Sequence, residues 1–294
     1  MSTSLIGSTM ATGILNGGIY ALLALAIVLI FRTTAVANFA QGDMGTFSVF
    51  MLLMFFLPLD IPLWAAWLAT IALSGGLGAI VYFVLLRPRP AANHLNLTVR
   101  TLGLYTLIYA VVVFLWGAQE PYRIPSLFQQ GTVTIGGFSI SYDQIGTLAV
   151  MAVAAAGFLA LFRYTQLGLA MRASAMNPEV ASLLGVNVQV IMMSVWILAG
   201  IMGAVAGMLI APISFLETGM MRPYLFKAFT AAIMGGLYSF PGAIVGGFIL
   251  GVAEAFAAVA ISIHMREPFT FMILLLVLLI RPAGLFGSKQ RLRV

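Results

Sequence analysis

Long apolar runs separated by short polar segments make up most of this chain. A helix needs about 20 apolar residues to cross the hydrocarbon core of a bilayer, and most of these runs approach or exceed that length. The pattern predicts nine segments, which are Leu5–Phe31, Phe39–Leu57, Leu63–Leu86, Val99–Trp116, Ile145–Phe162, Val190–Ile210, Phe226–Leu237, Gly242–Ile263 and Pro268–Ile280. The seventh and ninth are short, and the seventh, which "YSFPG" separates from the eighth, is a candidate for a broken or re-entrant helix.

One polar segment, residues 164–187, interrupts the apolar runs and still has the signals of a helix. Asn177 is a preferred N-cap residue, and Pro178 after it suits the first helical position. Glu179 follows in the first turn, where the positive end of a helix favours a carboxylate. Gly185 is a typical residue for the end of such a helix. We therefore predict a short helix between Asn177 and Gly185.

A second short helix is predicted just before it, from Gly168 to about Ala175, with Arg172 on it. The later helix has an apolar side, which consists of Val180, Ala181, Leu183 and Leu184. An ordered polar and apolar surface of this kind is typical of a docking site for a partner protein. An amphipathic helix that lies on the lipid headgroups has the same pattern, so both interpretations stay open.

The stretch "VANFAQGDMG" joins the first two apolar runs and concentrates polar and flexible residues, which are Asn38, Gln41, Gly42 and Asp43. A polar break at membrane depth is tolerated only where protein or a water-filled cavity satisfies its backbone. These residues are therefore candidates for the lining of a translocation pathway. The alternative is a plain cytoplasmic turn in which Asp43 pairs with Arg32.

The eighth run carries two pairs of glycines four residues apart, Gly242 with Gly246 and Gly247 with Gly251, a pattern typical of close helix packing in membranes. Glu254 shares a helical face with the second pair and lies roughly 18 Å into its run. A carboxylate at that depth is costly and is a functional candidate by default. We count all five residues as candidates for packing or for the pathway. The structural alternative for Glu254 is a hydrogen bond to a neighbouring helix or to a second copy of the protein.

The long polar stretch at residues 120–143 contains "TVTIGGFSIS", in which polar and apolar residues alternate on both sides of Gly136 and Gly137. This pattern predicts a small β-hairpin. A hairpin outside the membrane suits a lid or a receptor surface for an extracellular partner, and it equally suits a simple connection between spans.

Composition identifies the class of protein, since 62% of the residues are hydrophobic and 7% are charged. A soluble domain has about 25% charged residues, so this chain is an integral membrane protein. With the N-terminus outside, the basic residues follow the positive-inside rule. Ten then face the cytoplasm, which are Arg32, Arg87, Arg89, Arg100, Arg163, Arg172, Arg281, Lys289, Arg291 and Arg293, and four face outward, which are Arg123, Arg222, Lys227 and Arg266. This orientation places residues 164–187 in the cytoplasm. The first run lacks the basic start of a signal peptide, so we expect it to be a retained span.

Residues for catalysis or metal binding are scarce. The chain has no cysteine, and its two histidines, His94 and His264, lie too far apart for a zinc motif. The sequence contains no phosphate-binding loop, so any ATP binds to another chain. The net charge of +6 does not indicate nucleic acid binding, because in a membrane protein the basic residues set the orientation. We therefore expect a membrane protein that is not an enzyme.

Four regions of the chain resemble a known family. They contain "NGGIYALLALAIVLIF" with "NFAQGD", "LGLAMRASAMNPEVASLLGVN", "KAFTAAIMGGLYSFPGAIVGGFILGVAEA" and "LLLVLLIRPAGLFG", in this order and spread over nearly the whole chain. On these stretches the chain resembles the permease subunits of high-affinity branched-chain amino acid ABC importers, specifically the shorter, LivH-type permease. Gln41 stands where the family usually has His, which removes any argument that this position works by protonation.

The resemblance implies a fold and a set of partners. The fold is all-α and polytopic, with about eight transmembrane helices, short or re-entrant segments and a cytoplasmic coupling helix pair, in one permease domain over residues 1–294. The partners are two ATP-binding subunits, a second related permease and a periplasmic substrate-binding protein. The chain itself would bind no cofactor, since ATP and Mg²⁺ belong to the partner subunits. The location would be the inner membrane of a bacterium.

The resemblance also implies roles for particular residues. The middle stretch is the family's coupling segment, so contact with the ATP-binding subunit is implied for Gly168, Arg172, Asn177, Glu179, Ala181, Leu184 and Gly185. Substrates of the family include leucine, isoleucine and valine, but also other amino acids, urea, short amides and aromatic acids, so the substrate stays open. The alternative from another class is a proton-coupled transporter that works alone and uses Asp43 or Glu254. That class is typically built from inverted repeats, and this sequence has no convincing repeat.

Overall fold

A computed structural model describes residues 3–87, 94–117, 121–128, 131–135 and 138–287. Within these residues the protein has eleven α-helices and one two-stranded sheet. The helices are α1 (Thr3–Thr34), α2 (Gln41–Phe56), α3 (Leu63–Val81), α4 (His94–Trp116), α5 (Tyr142–Tyr164), α6 (Gln166–Met176), α7 (Pro178–Leu183), α8 (Val188–Ile210), α9 (Arg222–Gly235), α10 (Phe240–Ala260) and α11 (Arg266–Ile280). A π-helical turn, Tyr82–Leu86, continues α3, and a 3₁₀ turn, Ile263–Met265, precedes α11.

Each of the nine predicted apolar runs corresponds to a helix. Six of these helices, α1, α3, α4, α5, α8 and α10, are long and apolar enough to cross a membrane. The other three, α2, α9 and α11, have 16, 14 and 15 residues. The all-α, polytopic fold is thus confirmed, while the number of full crossings stays a prediction. The seventh predicted segment is α9, which begins at Arg222 and not at Phe226, so Arg222 belongs to a helix and not to the loop before it.

The chain divides into two compact units, which do not follow the order of the sequence. The first unit comprises Met1–Val28, Phe128–Ala152 and Phe226–Val294. The second comprises Leu29–Leu127 and Val153–Leu225. The expectation of a single permease domain stays a prediction.

In the first unit, α1 packs against α10 with almost no side-chain volume between the two backbones. A Cβ atom added to Gly247 would lie 2.6 Å from the backbone nitrogen of Ala21, and one added to Gly17 would lie 2.8 Å from the Cα of Phe248. Any side chain larger than hydrogen would therefore separate the helices, as is typical of a small-residue packing face between membrane helices. The two glycine pairs serve different neighbours, because Gly242 and Gly246 contact α9, whereas Gly247 and Gly251 contact α1.

In the second unit, α2, α3 and α8 pack against one another and form a buried core. A Cβ atom added to Gly45 of α2 would lie 2.9 Å from the carbonyl oxygen of Gly203 on α8. On the neighbouring face, the hydroxyl of Ser74 on α3 donates a 2.8 Å hydrogen bond to the hydroxyl of Ser48 on α2. Small and hydroxyl-bearing residues are the usual contacts between membrane helices, because backbones can approach closely there.

The predicted hairpin is present as β1 (Thr132–Ile135) and β2 (Phe138–Ser141), which pair in antiparallel register. Thr132 lies opposite Ser141, and Ile135 lies opposite Phe138. The connecting Gly136–Gly137 lies outside the described residues. So do four basic residues of the predicted charge pattern, which are Arg89, Lys289, Arg291 and Arg293.

Candidate functional site

The polar break before α2 is held by its own amide side chains. The Nδ2 of Asn38 donates to the Oε1 of Gln41 at 2.9 Å, and the Oδ1 of Asn38 accepts from the backbone N–H of Ala40 at 3.1 Å. The Nε2 of Gln41 donates to the carbonyl oxygen of Ala199 on α8 at 2.8 Å. Both amide side chains are fully buried, so these bonds replace the water that a surface turn would use.

The break lies near the middle of α8 and not at one of its ends. Ala199 is roughly 17 Å along α8 from Val188, in a helix about 34 Å long. Its contact with Gln41 therefore favours a polar break at membrane depth over a turn at the membrane surface. In addition, the structure pairs Asp43 with Arg222, so the alternative in which Asp43 pairs with Arg32 is wrong.

Asp43 and Arg222 form a loose ion pair beside two aromatic rings. The Nε of Arg222 lies 3.8 Å from the Oδ1 of Asp43. The guanidinium lies 4.4 Å from the ring centre of Tyr109 and 5.0 Å from that of Tyr105, both on α4. The side chain of Asp43 is 2% exposed and that of Arg222 is 33% exposed. We call these four residues the Asp43–Arg222 cluster.

The sequence alone did not single out three members of this cluster. From the charge pattern, Arg222 counts only as an outward basic residue. One signal was available, because Tyr105 and Tyr109 are four residues apart and so lie on one face of α4. Which residues contact that face depends on the tertiary structure, and no local sequence pattern indicates them.

Glu254, the buried carboxylate of α10, has three partners in the first unit. Its Oε1 lies 2.5 Å from the Nζ of Lys227 on α9 and 3.2 Å from the Nε of Arg266 on α11. Its Oε2 accepts a 2.8 Å hydrogen bond from the hydroxyl of Tyr20 on α1. A buried carboxylate is tolerated when it is paired and hydrogen-bonded in this way. Neighbouring helices of the same chain therefore account for Glu254.

Neither the Asp43–Arg222 cluster nor the group formed by Glu254 and its partners Lys227, Arg266 and Tyr20 is built as a metal site. In both, a carboxylate faces a cation, which repels a metal ion. Among the residues that the structure describes, no group of three or more His, Asp or Glu side chains could hold a metal.

The predicted helix after Asn177 is present as α7. The Oδ1 of Asn177 accepts from the backbone N–H groups of Glu179 and the next residue, at 3.0 and 3.1 Å, so Asn177 is the N-cap. At the other end, Gly185 has a φ of 86°, and the N–H of Val186 donates to the carbonyl of Ala181 at 3.0 Å. This is a Schellman ending, in which a residue with positive φ closes the helix. Both helix signals in the sequence are thus confirmed.

The predicted helix before Asn177 is α6, which is longer than expected at Gln166–Met176. The hydroxyl of Thr165 accepts from the backbone N–H of Gly168 at 3.1 Å and caps the helix. The guanidinium of Arg172 donates to the carbonyl of Phe162 at the end of α5 and lies 5.6 Å from the centre of the Phe162 ring. Arg172 therefore fixes the corner between α5 and α6 and directs its charge toward its own chain.

The outer side of α6 and α7 exposes large apolar side chains. Met176 and Leu183 are each 88% exposed, and Leu184 is 78% exposed, whereas Ala181 is buried. Beside them, an open groove of about 880 Å³ lies between α7 and the start of α8. We call the exposed residues the α6–α7 surface, which comprises Met176, Glu179, Leu183 and Leu184. Exposed apolar side chains grouped in this way mark a contact with protein or membrane.

Comparison with known proteins identifies relatives along nearly the whole chain. Residues 9–280 match a family model described as "Branched-chain amino acid transport system / permease component". The chain is 31% identical to the high-affinity branched-chain amino acid transport system permease protein BraD of Pseudomonas aeruginosa, over 96% of this chain and 95% of that protein. It is 30% identical, over the same shares, to the LivH permease of Escherichia coli strain K12. A probable LivH permease of Methanocaldococcus jannaschii is 26% identical over 93% of this chain and 90% of its own length. A solved structure described as "PsaBC from Streptococcus pneumoniae in complex with Fab" aligns over 96% of this chain and 92% of that chain, with a TM-score of 0.46 and 12% identity.

Proposed function

Because the chain belongs to the permease family of branched-chain amino acid transport systems, we propose that it is the membrane subunit of an ATP-driven importer of branched-chain amino acids. In this proposal a periplasmic protein delivers the substrate, two ATP-binding subunits hydrolyse ATP, and a second related permease completes the membrane part. The chain lies in the inner membrane with its N-terminus outside and its C-terminus in the cytoplasm. It binds no cofactor itself, since ATP and Mg²⁺ belong to the partner subunits.

The α6–α7 surface is the observation that carries the proposal. It combines a helix capped at both ends with exposed apolar side chains and one carboxylate, and the basic residues of the sequence favour a cytoplasmic location. An interface core is typically apolar with a polar rim. Leu183 and Leu184 supply the apolar part, and Glu179 supplies a rim charge. This is the composition expected where an ATP-binding subunit docks.

Rigid connections give α6 and α7 a way to pass movement to the spans. The hydrogen bond of Arg172 and the close approach of Gly168 to the backbone of Phe162 fix α6 to the end of α5, and α7 packs beside α6 and the start of α8. When the ATP-binding subunits close, the α6–α7 surface moves with them, and α5 and α8 follow. The polar break formed by Asn38, Gln41, Gly42 and Asp43 then serves as part of the pathway, because it lies against the middle of α8. For Gly242, Gly246, Gly247, Gly251 and Glu254, close contacts within the first unit favour packing over pathway lining.

The test is co-isolation and uptake with a matched pair of variants. Leu183→Asp puts a charge in the α6–α7 surface, and we expect loss of the ATP-binding subunit from the purified complex and of ATP-driven leucine uptake. Leu59→Asp is the control, since Leu59 is 60% exposed but lies in the connection between α2 and α3. This control should retain both the subunit and the uptake. Retention of both by Leu183→Asp at equal expression would show that docking occurs elsewhere.

The same preparation distinguishes the proton-coupled alternative. Proteoliposomes that hold only this chain should take up no leucine under a pH gradient. Uptake by the chain alone, without ATP-binding subunits, would overturn the proposal in favour of a secondary transporter.

A further inference from the structure

Asp43 and Arg222 are an acid and a base of the second unit whose side chains approach each other without forming a hydrogen bond. Their separation of 3.8 Å is longer than a hydrogen bond, which requires about 3.2 Å or less for N–H···O. Within the described part of the chain, the Oδ2 of Asp43 and the Nε of Arg222 are buried and have no hydrogen-bond partner. Buried polar groups in folded proteins are nearly always bonded, so an unbonded carboxylate oxygen and an unbonded guanidinium nitrogen at one place require an explanation.

We propose that Asp43 and Arg222 form a binding site for the zwitterionic head of an α-amino acid, with the α-ammonium group on Asp43 and the α-carboxylate on Arg222. The proposal rests on the proposed function and deepens it, because it assigns the head group of the amino acid substrate to two named side chains of this chain. It predicts that this permease carries amino acids and does not carry urea, neutral amides or acids without an amino group.

Charge is the first argument for this ligand. The acid and the base balance each other, and an α-amino acid head is also neutral overall, so binding adds no net charge to the interior. A simple acid or amine would add one uncompensated charge, which is costly at membrane depth. The bound head would convert one long ion pair into two charge-assisted hydrogen bonds, which are the strong class.

Helix ends are the second argument. Arg222 is the first residue of α9, a helix of 14 residues, and the positive end of a helix favours an anion such as the α-carboxylate. Asp43 lies in the first turn of α2, where its own charge is stabilised in the same way. The starts of α2 and α9 therefore lie side by side. The first carries the carboxylate of Asp43, and the second carries the guanidinium of Arg222, which can bind the carboxylate of a ligand.

The two tyrosines are positioning residues for Arg222. With ring centres at 4.4 and 5.0 Å, they attract the guanidinium through their π-systems without using its hydrogen bonds. Arg222 is one third exposed, so the carboxylate of a ligand meets it first. The ammonium group reaches Asp43 when the loose pair opens, a step that breaks no hydrogen bond between the two residues.

The experiment measures binding to the assembled transporter in nanodiscs without the periplasmic protein, so that the selectivity of that protein plays no part. Radiolabelled L-leucine is the probe. Its competitors are unlabelled leucine, 4-methylpentanoate, which lacks the ammonium group, and 3-methylbutylamine, which lacks the carboxylate. For the wild type we expect leucine to compete at least about tenfold better than either analogue, because each lost charged hydrogen bond is worth about that factor.

Each variant should lose one preference and keep the other. In Asp43→Asn, the advantage of leucine over 4-methylpentanoate should disappear, because the partner of the ammonium group is gone. In Arg222→Gln, the advantage over 3-methylbutylamine should disappear. Arg123→Gln is the matched control, since the guanidinium of Arg123 lies 5.1 Å from the Phe215 ring, whereas the ion pair of Asp43 among the described residues is with Arg222. It should bind like the wild type.

Three results would overturn the head-group site. The first is that the wild type does not bind leucine at millimolar concentration. The second is that leucine competes no better than the two analogues for the wild type. The third is that both substitutions weaken the binding of leucine and of both analogues by the same factor, which indicates a purely structural ion pair. If either substitution prevents assembly, Tyr109→Leu and Tyr109→Phe replace it. We expect Tyr109→Leu to weaken the binding of leucine more than that of 3-methylbutylamine, and we expect Tyr109→Phe to match the wild type. Equal behaviour of the two variants would contradict the site.

ATP-driven leucine uptake with the periplasmic protein is measured in parallel. Its presence with failed binding rejects this site alone, and its absence rejects the proposed function.

Discussion

Tyr20 on α1 donates a 2.8 Å hydrogen bond to the buried carboxylate of Glu254 on α10. Gly17, about one turn before Tyr20, lies in the close contact between the same two helices. The polar contact and the backbone contact therefore hold α1 and α10 together at one place. Lys227 and Arg266 approach the same carboxylate from α9 and α11, so one side chain connects four helices of the first unit.

Substitution of Glu254 by Gln should destabilise the protein strongly. It leaves Lys227 and Arg266 close together without a counter-charge, and removal of one partner from a buried ion pair costs about 3–5 kcal/mol. We expect the lower end, about 3 kcal/mol, because Arg266 is one third exposed. The measurement is the thermal unfolding midpoint of the purified protein in detergent.

The control separates charge from hydrogen bonding. Tyr20→Phe removes a single hydrogen bond and should cost about 1 kcal/mol. Adding Lys227→Met to Glu254→Gln should restore part of the lost stability, since it removes one of the uncompensated cations. An unchanged midpoint for Glu254→Gln would contradict the role assigned to the carboxylate.

Substitution of Gly251 by Ala should separate α1 from α10. A Cβ atom at Gly251 would lie 2.6 Å from the carbonyl oxygen of Gly13, and the obstructing atom is backbone, which cannot move aside alone. Overpacking of this kind costs about 1–3 kcal/mol. Gly103→Ala on α4 is the matched control, because a Cβ there meets no atom within 4 Å. It should be neutral or more stable by up to about 1 kcal/mol, since Ala favours helices over Gly. Equal thermal midpoints for the two variants would show that the contact is loose.

Substitution of Gln41 by Leu should weaken the polar break before α2. It removes the donor to the carbonyl of Ala199 and the acceptor for the amide of Asn38, and a buried group left unbonded costs about 1–3 kcal/mol. Transport should fall together with the thermal midpoint. Asn96→Leu, which replaces an exposed amide on α4, is the control and should change neither quantity. A Gln41→Leu protein as stable as the wild type would mean that water satisfies these groups.

Local signals in the sequence were sufficient to identify the helices and both ends of α7. The apolar runs identified all nine long segments, and Asn177 and Gly185 marked both ends of α7, because capping depends only on residues within one or two turns. The glycine spacing of α10 likewise indicated close packing. The start of α9 was misplaced by four residues, since its first turn begins with Arg222 and Pro223, which interrupt the apolar period.

Partners across the fold could not be predicted. Asp43 was a candidate from its place in a polar break, yet its neighbour Arg222 lies on a helix far away in sequence. The same holds for Glu254 and Lys227. A carboxylate in an apolar run indicates that it needs a partner. Which helix supplies that partner depends on the packing between helices, whereas sequence periodicity describes one helix at a time.

Arg172 can affect coupling in two ways, either by holding the corner between α5 and α6 or by contacting a partner protein, and its substitution distinguishes them. Its guanidinium donates to the carbonyl of Phe162, so Arg172→Glu should reduce ATP-driven uptake by loosening the corner between α5 and α6, even if no partner protein touches residue 172. Hydrogen exchange of the backbone amides at the start of α6 should then increase, while the ATP-binding subunit still co-purifies. Glu179→Arg, an exposed charge reversal one helix further on, should instead reduce co-purification and leave that exchange unchanged. Wild-type uptake by Arg172→Glu at equal expression would sink the assignment of Arg172 to coupling. Loss of the subunit without faster exchange would mean that Arg172 contacts the partner directly.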